Sequence, residues 1–361
     1  FEMVLYGLFT VLSLPEMRRS ALSRIKSKSL KYTINGEIEI SDALLSKLFK
    51  MLQFLLFCST KSHYLPQFGD SDSGYFIHIT PFYFKYLAKR VNRKDYFFHS
   101  SNNPWNAISL FVGYFSDFID VPILSRYNEF HAAKVLRSKS KIDFNLSLLS
   151  QLSEEVNRYL LRKYSKENYR AKSFPDFGLY SVWRKKYHFV FNLGKIGQKG
   201  KGGHNHNDAL SFELYKGDIP IIVNGGTYCY TPFPARRNAF RSVNNHNTVA
   251  FNGLEQNLWS EGSKDDLFWL AGDRTKPKMN KFSDKGLIAE HCAYTQKLTR
   301  KISFTSNAIY FIDECKLQGK RKVLLHFVPG TNIIINGDAA LIDYKNIKLE
   351  IPKGDFNFYS E

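Results

Sequence analysis

A chain of 361 residues is longer than one small core organises, so two domains are expected. Its 43% hydrophobic and 23% charged residues are those of an ordinary folded protein, and its formal charge of +18 favours a polyanionic partner: nucleic acid, an anionic lipid surface or an acidic polysaccharide. The Lys/Arg runs, such as Lys185-Lys186 and Arg236-Arg237, are too short for a nucleic-acid arm, and the four scattered cysteines form neither a zinc ribbon nor a disulfide framework.

The first ~165 residues read as mostly helical. Phe1, Val4, Leu5, Leu8 and Leu12 share one helical face, which Pro15 ends; this apolar stretch contains Glu2 and is too short to span a bilayer. A second helix is predicted from Ser41, as N-cap, to Cys58, with Leu44, Leu45, Leu48, Leu52, Leu55 and Leu56 as its buried stripe. A third runs from about Leu146 to Lys163. Aromatic-rich loops, 64–74 and 97–105, lie between them. Past Ser173, short β-rich runs alternate with turns: Leu179–Trp183, Tyr187–Leu193, Ala209–Tyr215, Ile219–Val223, Thr248–Phe251, Ala308–Ile312 and Val323–Phe327. Many short strands separated by turns predict an antiparallel sandwich. The expected division is a helical domain over 1–170 and a β-domain over 171–361.

The densest chemistry lies in Gly202-Gly203-His204-Asn205-His206-Asn207-Asp208. Extended into the following strand, this segment points His204, His206 and Asp208 one way, in line with Leu210, Phe212 and Leu214. His-x-His on a strand can hold a metal, and His can act as acid or base near neutral pH; two solvated histidines in a polar loop is the bland alternative. Downstream, Asn224, Tyr228, Tyr230, Arg241 and His246 add a third imidazole, two phenols and amides within ~45 residues, a composition suited to a polar cleft. Asp70 and Asp72, in Gly69-Asp70-Ser71-Asp72-Ser73-Gly74, superficially match a calcium loop, but Pro81 stands where its closing Glu belongs, and a turn with Asx hydrogen bonds is the expectation.

The run GGHNHNDALSFELY, then VNGGTYCY, then RRNAFRSVNNHNTV resembles the C-terminal region of the heparinase II/III family and of related alginate lyases, strongly over about 175–252. The Asp70 loop also resembles a loop of the family's helical domain. The resemblance implies a partial (α/α) toroid followed by an antiparallel β-sandwich, an α+β multidomain fold. It implies β-elimination on an acidic, uronate-containing glycan, with no nucleic acid, no membrane span and a periplasmic or secreted location. Carried over by position, His204 matches the active-site His. Tyr230 is assigned beside it, facing the cleft, with Asn205 and Arg241 as substrate ligands; a salt bridge supporting the β-domain is the alternative for Arg241. His206 and His246 match metal-binding histidines, and Asn224 stands where the family usually has Asp. A structural zinc site is therefore expected, weakened because an amide oxygen is a poorer zinc ligand than a carboxylate. The family's Tyr acid and its companion are expected upstream of Phe1, making this the C-terminal piece of a longer enzyme. A non-catalytic glycan binder and a glycoside hydrolase are the alternatives; a hydrolase needs two carboxylates flanking the bond.

Overall fold

A computed structural model describes residues 30–32, 38–59, 65–70, 111–115, 142–143, 169–184, 187–217, 219–251, 253–259, 267–306, 308–336, 339–345 and 347–351, with His131, Lys134, Ser150 and Glu154. The helix predicted over the opening residues, nearly all of the one predicted over 146–163, and Asp72 lie outside the described residues. Contacts divide the chain into one unit of 1–65 with 73–167 and another of 66–72 with 168–361.

In the first unit, β1 (Leu30–Tyr32) pairs antiparallel with β2 (Ile38–Ile40), and β2 pairs parallel with β3 (Ile142–Asp143). Helix α1 (Asp42–Cys58) starts where the sequence places it: the Ser41 hydroxyl accepts a hydrogen bond from the Leu44 N–H at 3.2 Å, satisfying a donor that the helix leaves open. Leu45, Leu48, Leu52 and Leu56 are buried along one face, joined by Gln53, Phe57 and Cys58, while Leu44 and Leu55 are half-buried flanks. No helix among the described residues is long and apolar enough to cross a membrane.

The second unit is built from antiparallel sheets. Strands β4 (Tyr169–Phe174), β5 (Leu179–Arg184), β6 (Tyr187–Asn192), β7 (Phe212–Lys216) and β8 (Ile219–Ile222) form a five-stranded meander in chain order. Helix α2 (Pro234–Arg241) and β9 (Val249–Phe251) follow. A second meander joins β10 (Lys278–Ser283), β11 (Gly286–His291), β12 (Leu298–Phe304) and β13 (Ile309–Cys315). Strand β14 (Arg321–Val323) pairs with β9, and β15 (Asn332–Asn336), β16 (Ala339–Tyr344) and β17 (Ile347–Ile351) form a third sheet.

The two meanders share one core. Phe189, Phe191, Phe212 and Leu214 of the first cluster with Leu287, Leu298, Ile302 and Phe304 of the second. Phe189 meets Phe212 at 5.2 Å and Phe304 edge-on at 5.1 Å between ring centroids, the offset and edge geometries that ring quadrupoles favour. Buried Arg300, on β12, ties this core to the loops above it: it grips Asp313 through Nε and Nη2 at 2.7 and 2.9 Å and donates to the Leu210 and Asn247 carbonyls at 2.8 and 3.0 Å.

Two strand expectations need correction. The segment predicted as strand from Ala209 pairs only from Phe212; Leu210 adopts φ +62°, which breaks the two-residue alternation. His204, His206 and Asp208 therefore do not continue the row of Phe212 and Leu214. The strand predicted over 323–327 lies earlier, at Arg321–Val323, and Phe327 instead makes a single bridge to Ile222. On β7, Phe212 and Leu214 face the shared core, while Glu213 and Tyr215 face the opposite side and are also buried. That second, polar buried face is the floor of the candidate site.

Candidate active site

Residues 202–211 form turns that pass against the segment around Asp70. The Asp70 N–H donates to the His204 carbonyl at 3.0 Å, and the Gly69 N–H donates to Asp208 Oδ2 at 3.1 Å. Gly69 sits at φ +65°, and a Cβ there would stand 2.8 Å from the His204 carbonyl oxygen, so the approach requires glycine. Next to it, the Gln67 N–H donates to Glu213 Oε1 at 3.0 Å. The segment predicted as an independent Asx turn is thus fastened to the His-rich loop.

The Asp70 side chain is only 2% exposed and gathers three partners. His204 brings Nδ1 to 2.9 Å from Oδ2, and buried His206 brings Nε2 to 2.8 Å from Oδ1. Arg237, fully buried, donates Nη1 to Oδ1 and Nη2 to Oδ2, the two-pronged geometry that makes Arg–carboxylate pairs strong. Burial alone would raise the Asp70 pKa, but hydrogen bonds from His206 and Arg237 outweigh it and hold the value at about 2. Asp70 is therefore ionised and only accepts hydrogen bonds. In their neutral forms, His204 must donate from Nδ1 and His206 from Nε2. His204 then carries its lone pair on Nε2, on a side chain 66% exposed to solvent. A buried acid that fixes the tautomer of an exposed imidazole prepares that ring for proton transfer.

Tyr230 is half-buried, edge-on to the His204 ring at 6.4 Å, and stacked on Phe268 at 5.7 Å. The Arg237 guanidinium lies 5.2 and 5.5 Å from these two ring centroids, which face its charge and help to keep water from it. Asn205 is half-buried, and its Oδ1 accepts from the Gly197 N–H at 3.1 Å, holding the turn. Arg241, expected among the substrate ligands, is instead fully buried: its guanidinium donates to the Leu267 carbonyl at 2.5 Å and Asn238 Oδ1 at 3.3 Å and sits 4.9 Å from the Trp259 ring. Burial, reinforced by neighbouring Arg237, lowers its pKa to about 10. It supports the site from beneath.

The three residues expected at a metal are adjacent. The His206 and His246 rings stand 5.3 Å apart, and His246 Nδ1 lies 3.3 Å from Asn224 Oδ1. Asn224 is oriented by its neighbours: Nδ2 faces Glu213 Oε1 at 3.5 Å, and Oδ1 also accepts from the Asn247 N–H at 3.4 Å. His246 must then donate from Nδ1. This leaves lone pairs on His206 Nδ1 and His246 Nε2, both buried and without a hydrogen-bond partner among the described residues. Burial lowers the pKa of both rings, so both are neutral at neutral pH. Two unsatisfied imidazole lone pairs fit a cation. No group of three His, Cys, Asp or Glu side chains converges among the described residues, however, and the Asn224 oxygen is already shared by two donors. The donor set therefore fits a weak site. Below it, burial raises the Glu213 pKa against hydrogen bonds from Tyr215, Asn224 and Gln67, and raises that of Asp208 to about 7.

Asp70→Asn removes the charge that compensates buried Arg237. Urea unfolding of this variant should show a loss of about 3 kcal/mol, the usual cost of leaving one partner of a buried pair alone; a change under about 0.5 kcal/mol would mean that the pair contributes little to the fold.

A family model described as Heparinase II/III-like, C-terminal, matches residues 166–359, more than half of the chain. Among solved structures, the crystal structure of heparan sulfate lyase HepC from Pedobacter heparinus is similar with a TM-score of 0.50 and 15% identity, over 85% of this chain and 38% of that one. The crystal structure of Heparinase III gives a TM-score of 0.49 and 14% identity, over 85% of this chain and 40% of that one. The chain thus spans less than half the length of these lyases, and identities this low speak to fold alone. No curated protein matches it. On the strength of the model match, the chain belongs to the family of Heparinase II/III-like, C-terminal proteins.

Proposed function

We propose that the protein is a polysaccharide lyase that cleaves an acidic, uronate-containing glycan of the glycosaminoglycan class by β-elimination. The observation that carries this reading is the exposed His204 ring, held at Nδ1 by an ionised, buried Asp70. Elimination removes the proton at C5 of the uronate, breaks the C4–O4 bond and returns a proton to O4. His204 Nε2 carries the lone pair that can take the C5 proton and hand it to the departing O4 or, once protonated, can neutralise the uronate carboxylate; Asp70 fixes the direction of the ring in both cases. Tyr230 borders the ring on one side. A hydrolase would need two carboxylates free to flank the bond, and Asp70 is already engaged by Arg237, His204 and His206. The net charge of +18 favours an acidic chain as substrate.

In this reading a divalent cation such as zinc is held by His206 and His246, and the Asn224 oxygen, which accepts from His246 Nδ1, becomes a poor third donor only when the His246 ring turns over to bring its other nitrogen round. The cation would brace the site and polarise nothing that the substrate touches. The chain's own residues explain the weakness: an Asp at 224 would face the Glu213 carboxylate, whereas the Asn amide can donate to it.

Incubated with heparan sulfate, the protein should release products that absorb in the ultraviolet through their new C4–C5 double bond, and His204→Ala should reduce the rate by at least about a hundredfold. New reducing ends without ultraviolet absorbance would indicate hydrolysis. Binding without product would support the non-catalytic reading. Separately, Asn224→Asp should raise zinc affinity on the order of tenfold, read by competition with a chromophoric chelator, and lower the Tm when zinc is withheld. Equal zinc affinity in both forms would contradict the assignment of residue 224 as a ligand position.

A further inference from the structure

Beside the His204 centre lies a surface cluster that neither the elimination chemistry nor the metal reading uses. Tyr228 is 59% exposed and Phe233 is 56% exposed, and Arg236 stands in solvent between them. The Arg236 guanidinium is 5.8 Å from the Tyr228 ring and 5.7 Å from the Phe233 ring, and its Nη1 donates to the Tyr228 hydroxyl at 2.8 Å. Behind it, Tyr228 stacks on Phe240 at 4.9 Å with the rings 16° from parallel, so the exposed ring is braced. No carboxylate pairs with Arg236 among the described residues, and only one of its five N–H groups is engaged.

The backbone is strained at this point. Tyr228 has φ +57°, and the Cys229 N–H closes a three-residue turn onto the Thr227 carbonyl at 2.7 Å. A bulky residue rarely adopts such a conformation, and the turn it forms is costly. Strain held on an exposed aromatic ring points to a use for that ring, because the fold gains little from presenting it to water. The cluster is also coupled to the centre. Arg236 and Arg237 are consecutive on α2, about 100° apart around the helix; Arg237 turns inward to Asp70 while Arg236 turns outward to Tyr228. Tyr230, two residues beyond Tyr228, borders His204.

We infer that Tyr228, Phe233 and Arg236 form a glycan subsite next to the His204 centre, in which the rings stack against a sugar face and the Arg236 guanidinium binds an oxyanion on that sugar. This rests on the reading of the protein as one that acts on acidic glycans, but it does not require turnover. The oxyanion is a uronate carboxylate or a sulfate ester, since a guanidinium pairs with either in the same two-pronged way.

The test is calorimetric binding of a heparan sulfate hexasaccharide, and of the same oligosaccharide after chemical desulfation, with His204→Ala present throughout to prevent turnover. Adding Arg236→Gln should weaken binding about tenfold and flatten its dependence on salt. An effect on the sulfated probe alone identifies a sulfate reader; an equal effect on both identifies a carboxylate reader. Tyr228→Gly relieves the positive φ, so it should retain the Tm while losing about tenfold in affinity. Unchanged affinity in either variant, or no binding of either oligosaccharide to the protein, overturns the subsite. A protein that binds through Arg236 but never yields unsaturated product keeps the subsite and loses the lyase reading.

Discussion

A single buried carboxylate, on Asp70, collects two imidazoles and one guanidinium, and each partner gets something different from it. Arg237 obtains the charge compensation without which a buried cation is strongly destabilising. His206 obtains a fixed tautomer that leaves its other nitrogen available. His204 obtains an anchor for its inner nitrogen while the rest of the ring stays in water. Because Arg237 makes two parallel contacts, the carboxylate cannot rotate without breaking both, so the orientation of His204 depends on Arg237, which shares Oδ2 with it. The rings of Tyr230 and Phe268 exclude water from that interaction and so strengthen it.

The layer beneath is polar and also closed. Glu213 accepts from the backbone of Gln67 and Asn224 and from the Tyr215 hydroxyl, and so joins the 66–70 segment, β7 and the residue-224 position. An Asp at 224 would set a second buried carboxyl group against Glu213, and two acids sharing one buried site cannot both ionise cheaply. The Asn224 amide avoids that repulsion and can donate to Glu213 instead. Arg300 performs the matching task between the loops and the second meander, through Leu210 and Asn247. The site thus stands on hydrogen-bonded polar residues above an apolar core shared by two sheets.

Much of this was legible in the sequence for residues close together along it. His204, His206, Asn224 and His246 fall within a short stretch of Gly-rich, His-rich sequence, and the structure brings the last three into contact. Strands β5, β6 and β8 follow from their apolar runs. Asp70 was not legible as a site residue, because it lies 134 positions from His204 and no local pattern reveals a contact at that separation. Arg237 was hidden for a related reason: an Arg-Arg pair reads as solvated surface, and only the helix geometry separates the buried member from the exposed one. Strand β12 escaped notice because Arg300 occupies an inward position in an otherwise alternating pattern, and its compensation by Asp313 comes from the neighbouring strand. Arg241 misled in the opposite sense, since a cation beside polar residues suggests a ligand, yet backbone carbonyls hold it inside.

The central claim is that Asp70 fixes the tautomer and direction of His204. Nitrogen NMR of the His204 imidazole in its neutral form, followed through a pH titration of the protein, tests it most directly. The account predicts a proton on Nδ1 and a bare Nε2, with this preference lost in Asp70→Asn. A proton resting on Nε2, or a tautomer distribution indifferent to the substitution, would contradict it.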